Sequence, residues 1–128
     1  TMVVGRADDR QRTIHALVQE AQLRARTQVR AQQTGREADS LARDVIAARG
    51  FGDAFGHSLG HGLGLEVHEA PRLSQTNEMA LPLHAVVTIE PGIYLPGWGG
   101  VRLEDDVYLG PSGPELLSDG RTELLELH

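Results

Sequence analysis

The spacing of hydrophobic positions changes its period once along the chain, near Gly50. Before that point the period is helical. Ile14, Leu17, Val18, Ala21, Ala25 and Val29 follow an i, i+3, i+4, i+7 pattern, which gathers them on one stripe of a helix. Asp8 or Asp9 supplies the N-cap oxygen, and the predicted helix runs to Arg30 with its arginines mostly on the opposite, solvated face. Gln32 to Gly35 breaks it. Thr34 and Glu37 then form a T-x-x-E capping box, and a second amphipathic helix follows, with Leu41, Ala42, Val45 and Ile46 inward and Gly50 as its stop. Ahead of both helices, the apolar and β-branched run Thr1 to Val4 reads as a strand.

Beyond Gly50 the pattern is extended and heavily punctuated. Glycines at 52, 56, 60, 62 and 64 exclude a stable helix through the histidines between them. Strands are predicted at Leu65–His68, Ala85–Glu90 and Gly100–Leu109, with Pro82, Pro91 and Pro96 and the glycines at 92, 97, 99 and 100 marking the turns. Two helices packed on a mainly antiparallel sheet define an α+β class, and 128 residues suit one domain.

Composition narrows the chemistry. Cysteine is absent, which removes disulfides, thiolate zinc sites and cysteine nucleophiles together. No apolar run approaches the ~18 residues of a bilayer span, and no signal-peptide pattern opens the chain; the expectation is a cytoplasmic protein with no membrane partner. The net charge of −6 is unevenly placed: residues 1–50 carry nine Arg against six acidic residues, residues 51–128 three Arg against twelve. An acidic chain with 4% aromatic residues does not suit a nucleic-acid groove, so no nucleic-acid partner is expected. Its acidic half interleaves carboxylates with histidines, the donor set of a hard or borderline divalent metal.

Three segments carry that donor set. In FGHSLGHGLGLEVHEAP, His57, His61 and His68 fall close together among glycines that allow the backbone to pack against a ligand; in the strand from Leu65, His68 shares a face with Glu66. In VVTIEPG, Val86, Thr88 and Glu90 share one strand face, and Pro91 ends the ladder so that Glu90 sits at a strand end. In GGVRLEDDVYLG, alternation places Arg102, Glu104 and Asp106 together, opposite Val101 and Leu103. Arg102 beside Glu104 is either a surface ion pair of little weight or the partner that orients a metal-bound carboxylate. Each segment alone has an ordinary structural explanation. Together, one His and two Glu make an N,O,O set suited to Mn²⁺, Co²⁺, Zn²⁺ or Fe²⁺ and to metal-assisted hydrolysis.

The run GHSLGHGLGLEVHEAP followed by TIEPGIYLPGWGGVRLEDDV resembles the catalytic C-terminal part of the proline-specific metallopeptidases, prolidase (Xaa-Pro dipeptidase) and aminopeptidase P, of the creatinase/methionine aminopeptidase superfamily. The upstream TGREADSLARDVIAARGFGD is similar to the same family, so the resemblance covers nearly the whole chain. It implies the C-terminal half of a pita-bread fold and hydrolysis of Xaa-Pro bonds. Two divalent ions are implied as cofactors, manganese or cobalt first and zinc or iron next. The implied substrate is a peptide or dipeptide with proline at its second position. By the same resemblance His61, Glu90 and Glu104 are metal ligands, Glu104 bridging the two ions. His57 and His68 contact substrate and help move protons, and Tyr94 and Arg102 flank the centre.

The family pattern includes two further metal ligands, both Asp, upstream of a strand resembling TMVVG. Neither Asp8 nor Asp9 matches them, because both follow that strand. Residues 1–128 are therefore expected to be a partial catalytic domain, lacking the N-terminal half and inactive alone. Two other readings are a non-catalytic peptide-binding module and a homodimer that completes the site between copies. A methionine aminopeptidase is the near alternative within the superfamily, although the VHEAPRLS and GWGGVRLEDD runs resemble the proline branch more closely.

Overall fold

The computed structural model describes residues 1–128. Its two helices lie where the periodicity puts them: α1 at Asp9–Gln28 and α2 at Gly35–Ala48. Asp8, not Asp9, is the N-cap of α1, its carboxylate accepting the Gln11 N–H while the Gln11 side chain accepts the Asp8 N–H. Thr34 and Glu37 form the expected reciprocal box at α2, an arrangement typically worth about 1 kcal/mol. Ile14, Leu17, Val18, Ala21 and Ala25 of α1, Val29 just after it, and Ala38, Ala42 and Ile46 of α2 join a single core of 20 buried residues. Neither helix is long and apolar enough to cross a membrane.

Nine short strands follow the sequence order β1 Met2–Val4, β2 Gly60–Gly62, β3 Glu69–Leu73, β4 Val86–Ile89, β5 Gly92–Leu95, β6 Gly99–Arg102, β7 Asp105–Gly110, β8 Gly113–Leu116 and β9 Leu125–Leu127. The main sheet has the order β3-β2-β4-β7-β8 and is antiparallel throughout. β5 and β6 form a separate hairpin, and β1 pairs in parallel with β9. Leu73, Val87, Ile89, Val107 and Leu109 point from the main sheet into the core shared with the helices, as alternation requires. The α+β expectation holds.

Two strand expectations change. Leu65–His68 is not a strand: β2 and β3 pair with a register shift between His61 and Gly62, and the residues between them loop outward. Leu65 and Val67 are fully or largely exposed, so Glu66 and His68 share no strand face. The reason is turn chemistry. The Glu69 carboxylate accepts the Glu66 N–H, and the Gly64 N–H bonds the Glu66 carbonyl, so the loop satisfies itself and outweighs the strand propensity of Leu and Val. The predicted strand Gly100–Leu109 is split after Arg102. Its first part pairs with β5, its second with β4, and Leu103 and Glu104 cross between the two sheets. The inward–outward alternation survives the break: Val101, Leu103, Val107 and Leu109 are buried while Arg102 and Glu104 are exposed.

The alternation also turns Asp105 inward, where its carboxylate is 1% exposed. It is fully paired there, accepting from Gln22 at 2.8 Å, Arg26 at 2.7 Å and Ser118 at 2.7 Å. This network ties α1 to the start of β7 beside Glu104.

Close backbone packing fixes the middle of the main sheet. A Cβ at Gly60 would lie 1.8 Å from the Thr88 carbonyl oxygen, and one at Gly62 would lie 2.1 Å from that of Ala70. Replacing Gly60 by Ala is therefore expected to separate β2 from β4 and destabilise the fold by about 3 kcal/mol, the upper end of overpacking costs; chemical denaturation of the variant checks this.

Candidate metal centre

β2 presents His61 from its centre, and β4 ends one residue before Glu90. The Thr88 hydroxyl joins them: it accepts the His61 backbone N–H at 3.1 Å and donates to Glu90 Oε1 at 2.9 Å. His61 Nδ1 lies 2.9 Å from the Gly62 carbonyl oxygen. Donation to that oxygen places a proton on Nδ1, so in the neutral ring the lone pair is on Nε2. That lone pair lies 3.1 Å from Glu90 Oε1, with both side chains largely buried. Two lone-pair atoms at this separation need a cation or a proton between them. Two ligands at right angles around a metal ~2.1 Å from each would sit about 3 Å apart. The donor types and the tautomer thus fit a divalent ion.

Glu104 stands at the edge of this pair, in the crossing between β6 and β7. Its carboxyl is pushed above the usual range, first by partial desolvation and then by the negative charge of Glu90, with Asp106 adding and Arg102 and His61 opposing. Excess negative charge therefore accumulates between Glu90 and Glu104. The structure nonetheless assembles no group of three His, Asp or Glu side chains in ligating geometry. Two of the three expected ligands are in contact, and the third is near enough to be felt electrostatically.

The remaining expected site residues surround the pair unequally. Arg102, at the end of β6, reaches Glu90 with Nε 3.8 Å from Oε2, so the ion pair anticipated with Glu104 is made with Glu90. His68, exposed on the outward loop, stacks at a tilt on His61 with ring centroids 4.4 Å apart. His57 precedes β2; its Nδ1 meets the Ser58 carbonyl at 2.8 Å, and its buried Nε2 has no partner. Its ring lies edge-on to Tyr94 at 5.6 Å. A pocket of 240 Å³ joins His57, His61, Glu90 and Arg102, and Arg72 closes one side of it. The larger hollow of 510 Å³ along residues 70–82 offers one guanidinium and no imidazole or carboxylate, so it is less suited to catalysis.

Three contributors escaped the sequence reading: Thr88 in its bridging role, Arg72 opposite His61 in the β2–β3 register, and the buried Asp39–Arg43 pair of α2. Alternation placed Thr88 and Glu90 on one face but gave no sign of the bond between them. Arg72 becomes a neighbour only through the β2–β3 pairing, which sets it opposite His61. The Asp39–Arg43 pair has the i, i+4 spacing of an ordinary surface pair.

Residues 1–111 match metallopeptidase family M24. The chain belongs to this family. It is 50% identical over 125 residues to an Xaa-Pro dipeptidase of Pyrococcus furiosus, a match covering 98% of this chain and 36% of that enzyme. Among solved structures, an Xaa-Pro dipeptidase from Bacillus anthracis superposes with a TM-score of 0.96 at 48% identity, over 98% of this chain and 36% of the other. An X-Pro aminopeptidase from Thermotoga maritima gives 0.93 at 44% identity, with the same coverage of each chain. The chain thus spans about a third of the length of these relatives, and the pita-bread half anticipated from the sequence is the fold it shares with them.

A raised carboxyl gives a signed prediction. Glu104 binds its proton more tightly in the folded chain than in the unfolded one, so its stabilising contribution is present below its ordinary value of 4.5 and is lost as pH rises through the raised value. Glu104→Gln should therefore melt higher than the wild type at pH 7 in chelator. The gap should narrow as pH falls towards 4.5, and calorimetric melts across that range check it.

Proposed function

We propose that this chain forms the second half of the catalytic domain of a divalent-metal-dependent peptidase that cleaves Xaa-Pro bonds. The observation that carries the reading is the His61–Glu90 contact, in which the imidazole, its Nδ1 committed to a backbone carbonyl, turns Nε2 to a carboxylate oxygen at 3.1 Å. Membership of family M24 and the Xaa-Pro activity in the names of its relatives support the same chemistry.

In this reading His61, Glu90 and Glu104 hold a pair of ions, manganese or cobalt in preference, and the remaining carboxylate ligands come from outside residues 1–128. Bound divalent ions would supply an acidified water and a polarised scissile carbonyl. The chain's own residues do the rest. Thr88 fixes the Glu90 oxygen, and Arg102 offsets part of the carboxylate charge. His57, with Nδ1 committed to the Ser58 carbonyl, keeps Nε2 free to accept a hydrogen bond or proton from a substrate N–H. His68 against the His61 ring and the Tyr94 hydroxyl complete the polar rim that meets the dipeptide.

The full-length protein, stripped with chelator, should lose hydrolysis of Xaa-Pro dipeptides and regain it with Mn²⁺ or Co²⁺. Turnover that survives complete removal of metal overturns the proposal. Glu90→Gln should lower kcat/KM by at least about a hundredfold, the upper end of what losing an outer partner of a metal ligand costs. Steady-state kinetics on a fixed Xaa-Pro dipeptide measures this.

A further inference from the structure

Residues 55–59, which lead into the His61 strand, have few ladder bonds of their own and take their backbone partners largely from one buried ion pair. Asp39 of α2 is completely buried, and the Arg43 side chain is 14% exposed. The pair is bidentate, with Nε to Oδ2 at 2.6 Å and Nη2 to Oδ1 at 3.1 Å. Its remaining capacity goes to the loop. Arg43 donates to the carbonyls of Phe55 and His57, each at 2.7 Å, and Asp39 Oδ1 accepts the Leu59 N–H at 3.0 Å. The guanidinium also lies over the Phe55 ring, 4.1 Å from its centre. Leu59 in turn accepts the backbone N–H of Glu90 through its carbonyl at 2.8 Å. A continuous chain of hydrogen bonds therefore runs from Asp39 through Leu59 to Glu90, with His57 and His61 on either side of it.

We propose that Asp39 and Arg43 are positioning residues of the metal centre: their ion pair sets the backbone of residues 55–59 and, through Leu59, the placing of Glu90 against His61. The inference rests on the reading of His61 and Glu90 as metal ligands. A buried ion pair is a poor means of adding stability, because its desolvation cost is matched or exceeded by what an apolar pair of similar volume would contribute. What the apolar pair lacks is direction. A guanidinium fork and a carboxylate hold three backbone groups at fixed angles, which hydrophobic packing cannot do. The two charges also cancel at close range, so the centre is held in place without a net positive charge that would repel a metal cation.

The test uses the full-length protein and two variants, Asp39→Asn and the double variant Asp39→Leu/Arg43→Met. The double variant keeps the packing volume and leaves no buried charge unpaired, so it is the one expected to fold, with a melting temperature lowered by the loss of the bonds to the Phe55 and His57 carbonyls and the Leu59 N–H. Mn²⁺ titration by calorimetry should show its affinity lowered at least tenfold. Hydrogen exchange should speed up in the segments around 55–62 and 88–92 while α1, β7 and β8 keep wild-type protection. Wild-type affinity and exchange in a folded double variant overturn the proposal. So does uniformly faster exchange with a lowered melting temperature and unchanged metal affinity, because that is the mark of a merely structural pair. Failure of the wild type to bind Mn²⁺ would sink the ligand reading instead, and the exchange pattern would still decide whether Asp39 and Arg43 set the loop. In Asp39→Asn, where the amide oxygen still accepts the Leu59 N–H, affinity should fall less than in the double variant.

Discussion

The narrowest constraint in the molecule is the width available to β2. Three residues long, it is held between β3 and β4 so closely that side chains at Gly60 and Gly62 would overlap neighbouring carbonyl oxygens. Only His61 between them carries a side chain, and it has one direction to take, toward the end of β4. The imidazole is aimed by the absence of neighbours on its own strand. Its two nitrogens are then separated in role by the next carbonyl along, so backbone geometry fixes both orientation and tautomer.

Charge placement follows a consistent logic around that strand. Each carboxylate that enters the interior away from the pocket is answered by an arginine and by neutral donors, Asp39 by Arg43 and Leu59, Asp105 by Arg26, Gln22 and Ser118. Around the pocket the answer is incomplete. Glu90 has one neutral donor, the Thr88 hydroxyl, a distant arginine and the His61 ring, and Glu104 is raised by desolvation and by its neighbour's charge. The negative charge left between Glu90 and Glu104 is where a dication gains most.

Much of this was legible beforehand, for particular reasons. Both helices were visible because a 3.6-residue period sustained over several turns, with a capping aspartate before the first and a capping box at Thr34 before the second, admits few alternatives. The side-chain faces of Glu90, Arg102 and Glu104 were visible because the two-residue period survives even where the strand is broken. The broken strand was not, since nothing in GGVRLEDDV says that its halves serve different sheets. Leu65–His68 misled because local propensity favoured a strand where the Glu69 carboxylate closes a loop. Strands β2, β3, β5, β8 and β9 passed unnoticed, being five residues or fewer and broken by glycine, proline or charge, as did the pairing of β9 with β1, a contact between distant parts of the chain. Glu90 and Glu104 could be named as ligand types in one dimension; that one touches His61 and the other stands apart is a property of the sheet.

Glu104 belongs to no strand, because it occupies the joint where the β5–β6 hairpin hands the chain to the main sheet. The two pairings flanking it keep one register, Ile89 opposite Asp105 on one side and Gly92 opposite Arg102 on the other, so Glu90 and Glu104 fall opposite each other at the joint. The β5–β6 hairpin therefore works as a clasp: its open end holds the two carboxylates face to face, and its closed end carries Trp98, with the Arg10 guanidinium of α1 5.0 Å above the ring.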